Sequence, residues 1–262
     1  MKYIVMRPNR VMFIAVAGLC IIVASIFLPL SDESPAGISS RRIPIYNVDT
    51  SEKKIAVTFD VAWGNSDLAE ILDILANNNA LSTFFVTGEW VKKYPEDLKK
   101  ISSLGHDVQN HSDAHPHVTQ INRQALRTDT LACNEKINAL LGKKAKYYRA
   151  PYGEYDNNMM GVIEDELGMR VIQWNIDSRD WQPSATIDSI VRYVTANTKN
   201  GDIALFHVDA KPGHTADALD IILKKLIQDG YEFALLDDLI IQKDYYIDHA
   251  GVQRKKRKRI NS

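Results

Sequence analysis

Residues 54–86 read KIAVTFDVAWGNSDLAEILDILANNNALSTFFV. This stretch contains two short runs rich in β-branched and aromatic residues, 54–59 and 81–86, which are typical of buried strands. Between the two runs, apolar residues recur with helical spacing from Leu68 to Leu75. A strand, a helix and a second strand in this order predict a βαβ unit, because parallel strands need a crossover connection of this kind.

The same alternation continues to the region of residue 235. Further strands are predicted at 106–110, 146–149, 170–174, 203–206 and 232–235, and further helices at 95–103, 123–141, 156–167, 187–198 and 215–228. About seven strand–helix pairs favour either a parallel α/β barrel or a doubly wound sheet. In both folds the functional site is expected at the C-terminal ends of the strands.

The composition is that of an ordinary globular protein. Of the 262 residues, 45% are apolar and 25% are charged, which is enough for one sizeable core. A single folded domain is predicted over residues 53–240. The formal net charge of −1 gives no general bias toward nucleic acid. The two cysteines, Cys20 and Cys133, are placed where no internal disulfide is expected.

The N-terminal 30 residues have a different character. Val11 to Leu30 are twenty residues without a charge, a length that crosses roughly 30 Å of hydrocarbon as a helix. Lys2, Arg7 and Arg10 precede this run, so the positive-inside rule predicts a single-pass membrane protein with its folded domain outside the cytoplasm. Residues 1–30 are therefore interpreted as an uncleaved signal anchor and 31–52 as a linker. Cleavage after Leu30 is the alternative, although the run is longer than an ordinary signal peptide.

The C-terminal residues 241–262 are interpreted as a tail outside the folded domain. Arg254 to Arg259 are six basic residues in succession, a pattern typical of a solvated segment. Since the predicted topology places them outside the cytoplasm, anionic wall polymers or lipid headgroups are the expected partners, and nucleic acid is not.

Polar side chains follow the predicted strands one after another, and the ends of parallel strands converge on one mouth. They are Asp60, His111, His115, Arg149, Asp177 and His207. His111 and His115 are four residues apart, so a single helical turn or compact loop would allow both imidazoles to face one metal ion. Each residue taken alone is better explained by a turn, by capping or by an ion pair, and the functional interpretation rests on the whole set.

Five ordered segments carry a family resemblance. Thr58-Phe59-Asp60, 111–115 (HSDAH), 149–153 (RAPYG), 177–181 (DSRDW) and Leu205-Phe206-His207 resemble the five motifs of the NodB-homology polysaccharide deacetylases, or carbohydrate esterase family 4. Within that family the chain is most similar to the membrane-anchored proteins of spore-forming, Gram-positive bacteria. The resemblance implies a distorted (β/α)7 barrel and the removal of N-acetyl groups from an envelope glycan such as peptidoglycan or a chitin-like polymer.

The resemblance also implies a role for each matching residue. His111 and His115 would bind a divalent metal, usually zinc, and Asp60 would be the general base. Arg149 would hold Asp60, His207 would protonate the leaving amine, and Asp177 would orient His207. Three further residues would form the substrate pocket: the Tyr152 backbone N–H would contact the oxyanion, and Trp181 and Leu205 would line the acetyl pocket.

One position departs from the family pattern. The residue after Asp60 is expected to be a second aspartate that supplies the third metal ligand, but here it is Val61. Catalytic zinc normally has three protein ligands and a water, so the affinity for metal is expected to fall. A replacement ligand could come from Asp60, Asn65, Asp67 or Asp113. Two functions remain open at this stage: a metal-dependent N-deacetylase, and a domain that binds glycan without catalysis.

Overall fold

A curled parallel sheet forms the centre of the fold. The structure is a computed structural model that describes residues 41–211 and 213–256. Its strands in chain order are β1 (Asn47–Val48), β2 (Lys54–Val61), β3 (Thr83–Val86), β4 (Asp107–Asn110), β5 (Tyr147–Tyr148), β6 (Arg170–Val171), β7 (Ile176–Asp177), β8 (Ile203–His207), β9 (Glu232–Phe233), β10 (Tyr245–Ile247) and β11 (Val252–Lys255). The main sheet has the order β6-β5-β4-β3-β2-β8-β7, and β9 pairs with β2. All of its pairings are parallel, which confirms the predicted distorted (β/α) barrel.

The helices connect the strands and cover the outside of the sheet. They are α1 (Leu68–Asn77), α2 (Gly88–Lys93), α3 (Pro95–Ser103), α4 (Arg123–Leu141), α5 (Asn157–Met160), α6 (Ile187–Asn197), α7 (Thr215–Gln228) and α8 (Leu236–Leu239). A π-helical turn, Gly161–Glu166, extends α5, and a 3₁₀ turn, Pro151–Gly153, follows β5.

Local sequence signals explain where the longest helix begins and ends. The side chain of Asn122 accepts a hydrogen bond from the backbone N–H of Ala125 at 2.9 Å, which satisfies one of the free donors at the N-terminus of α4. Gly142 ends the helix in the left-handed conformation (φ 67°), where a residue without Cβ is favoured. Between these ends, α4 buries Leu126, Cys133 and Ile137 against the sheet.

The core lies between the sheet and its helices. Every residue of β2 from Ile55 onward is buried, as expected for a strand with neighbours on both faces. Phe59 stacks on Phe84 of the adjacent strand with ring centroids 4.8 Å apart. The buried strands bring polar residues to the C-terminal end of the sheet, where Asp60 and His207 are direct neighbours in the register of β2 and β8.

A second, three-stranded sheet corrects the predicted boundaries of the domain. Its order is β1-β11-β10, with β11 parallel to β1 and antiparallel to β10. The compact unit begins at Arg41, so the last part of the predicted linker 31–52 is folded. Similarly, Arg254 and Lys255 of the predicted tail lie in β11. Both segments fold because the strands satisfy each other's backbone hydrogen bonds, a long-range pairing that local sequence patterns do not reveal.

The predicted signal anchor, Val11 to Leu30, lies outside the described residues. Within the part of the chain that the structure describes, no helix is both long enough and apolar enough to span a bilayer.

Candidate active site

Asp60 is the central charged group at the C-terminal end of the sheet. Its side chain is buried, and Arg149 Nη1 donates a hydrogen bond to Asp60 Oδ1 at 2.9 Å. On the other side, His111 Nε2 lies 3.5 Å from Asp60 Oδ2. Burial alone would raise the pKa of Asp60, but His111 and Arg149 outweigh it and hold the pKa below its ordinary value. The predicted contact between Arg149 and Asp60 is therefore present, and Asp60 is a carboxylate.

Arg149 is held rigidly by the interior of the barrel. It is fully buried, and its guanidinium also donates to Thr58 Oγ1 at 2.9 Å and to the carbonyl of Gln173 at 3.2 Å. The same group lies 4.0 Å from the centroid of the Phe85 ring, a cation–π contact. These contacts with Thr58, Gln173 and Phe85 hold the guanidinium in place, so the guanidinium fixes the orientation of the Asp60 carboxylate.

His111 and His115 meet in a compact loop after β4, with ring centroids 5.0 Å apart. The loop is tight because Ser112 (φ 71°) and His115 (φ 55°) both adopt the left-handed conformation. His111 Nδ1 lies 2.9 Å from the Arg149 carbonyl oxygen, which can only accept, so Nδ1 carries the proton and Nε2 is left open. Burial lowers the pKa of His111, and burial followed by the charge of His111 lowers that of His115 to about 4. Burial thus favours the neutral form of both imidazoles, which is the form that binds a metal.

Val61 occupies the position where the family pattern expects a third ligand. Its side chain is fully buried and belongs to the apolar core. Among the described residues, no group of three or more histidine, cysteine, aspartate or glutamate side chains is arranged to hold a metal ion. The histidine pair therefore fits an ion held by two imidazoles, with the Asp60 carboxylate beside them, and does not fit the usual site with three protein ligands.

Three of the possible replacement ligands are engaged elsewhere. Asn65 donates to Asp97 at 2.6 Å, and Asp67 accepts from the backbone N–H of Asp209 at 2.8 Å. Asp113 forms an ion pair with Lys136. None of the three lines the cavity at the mouth, so the structure leaves Asp60 as the remaining candidate.

His207 is oriented by Asp180, which corrects the prediction that Asp177 has this role. His207 Nδ1 lies 2.8 Å from Asp180 Oδ1, and Asp180 is fully buried. Burial acts to lower the pKa of His207, but the hydrogen bond and charge of Asp180 outweigh it, so the pKa is raised. Asp177 lines the same cavity, and its carboxylate accepts from the backbone N–H of Arg179 at 2.8 Å.

The turn between the two aspartates explains why Asp180, and not Asp177, reaches His207. Arg179 has a φ of 60°, and this left-handed residue reverses the chain so that Asp180 points inward beneath His207. Thr215 Oγ1 donates to the same carboxylate at 2.9 Å and completes its environment. The motif at 177–181 contains both aspartates, and only the turn decides which one reaches His207.

The predicted pocket residues surround one cavity of about 420 Å³. Tyr152 (φ 58°) and Trp181 stand at its mouth with 59% and 47% of their surface exposed, whereas Leu205 is buried in its wall. Trp63 and Trp174, which belong to none of the five sequence motifs, also line the cavity. The sequence does place Trp63 three residues after Asp60, just beyond the end of the strand, and this position could have indicated that it lies at the site.

Comparisons with known proteins identify the family of this chain. The family model for polysaccharide deacetylases matches residues 47–172. A peptidoglycan-N-acetylglucosamine deacetylase of Bacillus cereus is 32% identical over 192 residues, which are 72% of this chain and 69% of that protein. The chain belongs to the polysaccharide deacetylase family. The family that the sequence motifs predicted is thus confirmed.

Other relatives in the polysaccharide deacetylase family differ in activity. The peptidoglycan-N-acetylmuramic acid deacetylase PdaA of Bacillus subtilis is 30% identical over 76% of this chain and 76% of its own. The solved structure of a pseudoenzyme of carbohydrate esterase family 4 from Bacillus anthracis matches with a TM-score of 0.71 and 30% identity, over 76% of this chain and 69% of that one. A mutant of that pseudoenzyme with restored enzymatic activity matches with the same TM-score.

Proposed function

We propose that this polysaccharide deacetylase-family protein removes N-acetyl groups from a cell-wall glycan with the aid of a weakly bound divalent metal. The observation that carries the proposal is the pair formed by Asp60 and His207 on neighbouring strands. Their surroundings lower the pKa of Asp60, which is therefore ionised, and raise the pKa of His207, which favours its protonated form. Such a pair is the arrangement that acid–base hydrolysis requires.

The chain's own residues account for the proton transfers. Asp60, held by Arg149, would accept a proton from the attacking water. His207, held by Asp180, would donate one to the amine as it leaves. The Tyr152 backbone N–H would stabilise the negative oxygen of the tetrahedral intermediate. A divalent metal, probed first as zinc, would be held by His111 and His115 and would supply polarisation of the acetyl carbonyl and activation of water.

The substrate class follows from the relatives and from the cavity. Two relatives are described as deacetylases of peptidoglycan amino sugars, one acting on N-acetylglucosamine and one on N-acetylmuramic acid. The cavity of about 420 Å³ beside Asp60 and His207 is walled largely by apolar and aromatic side chains, which suit an acetyl group and the apolar face of a sugar. An N-acetylated envelope glycan is accordingly the proposed substrate.

A second candidate is a domain that binds this glycan without hydrolysing it. The observation in its favour is Val61, which removes a carboxylate ligand, and the Bacillus anthracis relative described as a pseudoenzyme supports it. Release of acetate from N-acetylglucosamine oligomers and from peptidoglycan, in the presence of micromolar zinc, separates the two candidates. His207→Ala should reduce turnover by roughly 10²–10⁴-fold. Binding of glycan without acetate release by the wild-type protein would establish the non-catalytic function instead.

The proposed location is the outer face of the cell membrane, with one N-terminal span. The uncharged run from Val11 to Leu30 supports it, and the basic residues from Arg254 to Arg259 are proposed to bind anionic wall polymers. Fractionation combined with external protease tests the location. A full-length chain in the soluble cytoplasm would exclude the anchor, and an exported fragment beginning after Leu30 would indicate cleavage.

A further inference from the structure

Most of the exposed aromatic side chains in the described part of the chain lie at one place. Among the described residues, the aromatic side chains with a large exposed surface are Trp63, Tyr152, Trp181 and Tyr246. The first three line the cavity that holds Asp60 and His207, and Tyr246 lies in the separate three-stranded sheet. Exposed aromatic rings gathered around a cavity mark a ligand-binding surface.

Trp63 lies directly over the catalytic histidine. Its ring stacks on that of His207 with centroids 5.9 Å apart and an interplanar angle of 26°, and it also lies 6.1 Å from the His115 ring. Nevertheless 52% of its surface is exposed. About half of the indole surface is therefore open to a ligand at the cavity mouth.

The loop that carries Trp63 is fixed in place. Trp90 Nε1 donates to the Gly64 carbonyl oxygen at 2.9 Å, which ties the loop to α2. Ser66 bonds to the side chain of Asp209, the loop residue that follows β8. A Cβ at Gly64 would lie only 1.9 Å from an Asp209 oxygen, so the two loops approach as closely as glycine permits. The exposed indole is therefore presented by a rigid support, which reduces the entropic cost of binding.

We propose that Trp63 is a sugar-binding platform that stacks on a pyranose ring next to the sugar being deacetylated. The negative face of the indole attracts the C–H groups on the apolar face of a sugar, as it does other positively polarised groups. Trp181 and Tyr152 stand elsewhere on the mouth of the same cavity, so the site is built to contact more than one sugar ring. Trp63 thus selects glycan chains over single N-acetylated sugars. This inference rests on the proposed glycan substrate and does not require catalysis.

The test is the affinity of the full-length protein for N-acetylglucosamine oligomers of one to six units, measured by isothermal titration. The wild-type affinity should increase with length from one unit to at least three. Trp63→Ala should weaken binding of the trimer by about three- to tenfold and leave binding of the monomer unchanged, while Trp63→Phe should retain most of the affinity. Tyr246→Ala, an exposed aromatic residue outside the cavity, is the matched control and should behave as wild type.

The four tryptophans provide a second, direct measurement. The indole N–H signal that disappears in Trp63→Phe identifies Trp63, and it should shift when the trimer is added. Equal trimer affinity in wild type and Trp63→Ala, an unmoved Trp63 signal, or no oligomer binding at all would overturn the inference. Acetate release is measured separately. If the protein binds oligomers through Trp63 but releases no acetate, the proposed catalysis is wrong and the proposed sugar binding by Trp63 still holds.

Discussion

His207 and Asp180 are joined by two hydrogen bonds: His207 Nδ1 lies 2.8 Å from Asp180 Oδ1, and the His207 backbone N–H donates to the other carboxylate oxygen at 2.8 Å. The pair fixes both the position and the charge of the proposed general acid. It also leaves Nε2 of His207 as the nitrogen free to face the substrate, since Nδ1 is committed to Asp180.

The first prediction is that Asp180→Asn lowers the pKa of His207 and the deacetylation rate at neutral pH. Removing the negative charge leaves burial as the dominant effect on the imidazole, and burial lowers its pKa. NMR titration of His207 measures the change directly. Asp177→Asn is the matched control and should have a smaller effect, because Asp177 makes no hydrogen bond to His207. A larger effect of Asp177→Asn would restore the role that the sequence suggested.

The same pair gives a pH dependence of stability with a defined sign. Because the folded-state pKa of His207 is raised, its ion pair with Asp180 stabilises the fold fully below the unfolded pKa of about 6.5. That contribution is lost as the pH rises through the raised folded value. The difference in unfolding free energy between wild type and Asp180→Asn should therefore shrink from pH 6 to pH 8. A difference that grows over this range would contradict the assignment.

The second prediction concerns Arg149, which neutralises Asp60 inside the barrel. Arg149→Met should destabilise the protein by about 3–5 kcal/mol, because it leaves a buried carboxylate without its partner. Urea unfolding measures the loss. The double variant Arg149→Met with Asp60→Asn should recover part of it, since the uncompensated charge is gone. Equal stability of the single and double variants would show that the ion pair is not the source of the effect.

The third prediction concerns the C-terminal strand. The side chain of Gln253 is fully buried in β11 and pairs with both the N–H and the carbonyl of Ile241 at 2.9 Å. Gln253→Ala should cost about 1–3 kcal/mol of unfolding free energy, because it leaves these backbone groups unsatisfied. Lys255→Ala, at an exposed position in the same strand, should cost less than about 0.5 kcal/mol. If the two variants melt at the same temperature, β11 does not support the fold.

The helices of this barrel were predictable because their signals are local. Three of them, Pro95–Ser103, Arg123–Leu141 and Thr215–Gln228, have the predicted bounds, since apolar spacing and terminal residues define them. The short helix Gly88–Lys93 was missed, although Thr87 caps it by accepting from the Trp90 N–H. Six residues are too few to show a period.

The remaining features depend on contacts that are distant in sequence. Strand β1 and the strands β10 and β11 have two to four residues each, and they are stabilised by contacts between segments that are distant in sequence. In the site, the ordered motifs predicted which side chains meet, including Asp60 with Arg149. They did not predict the contact of Asp180 with His207, which depends on one left-handed residue, or the position of Trp63 over His207.

We propose that His111 and His115 hold a metal ion weakly, because Val61 stands where the family pattern expects a third ligand. Titration of the metal-free protein with zinc, for wild type, His111→Ala, Val61→Thr and Val61→Asp, tests it most directly. Wild type should bind zinc only weakly, His111→Ala should abolish binding, and Val61→Thr should match wild type because it adds no carboxylate. Val61→Asp should tighten binding by at least about tenfold, since it adds a charged ligand, and acetate release should rise with zinc occupancy. Equal zinc affinity in wild type, Val61→Asp and His111→Ala would contradict the account.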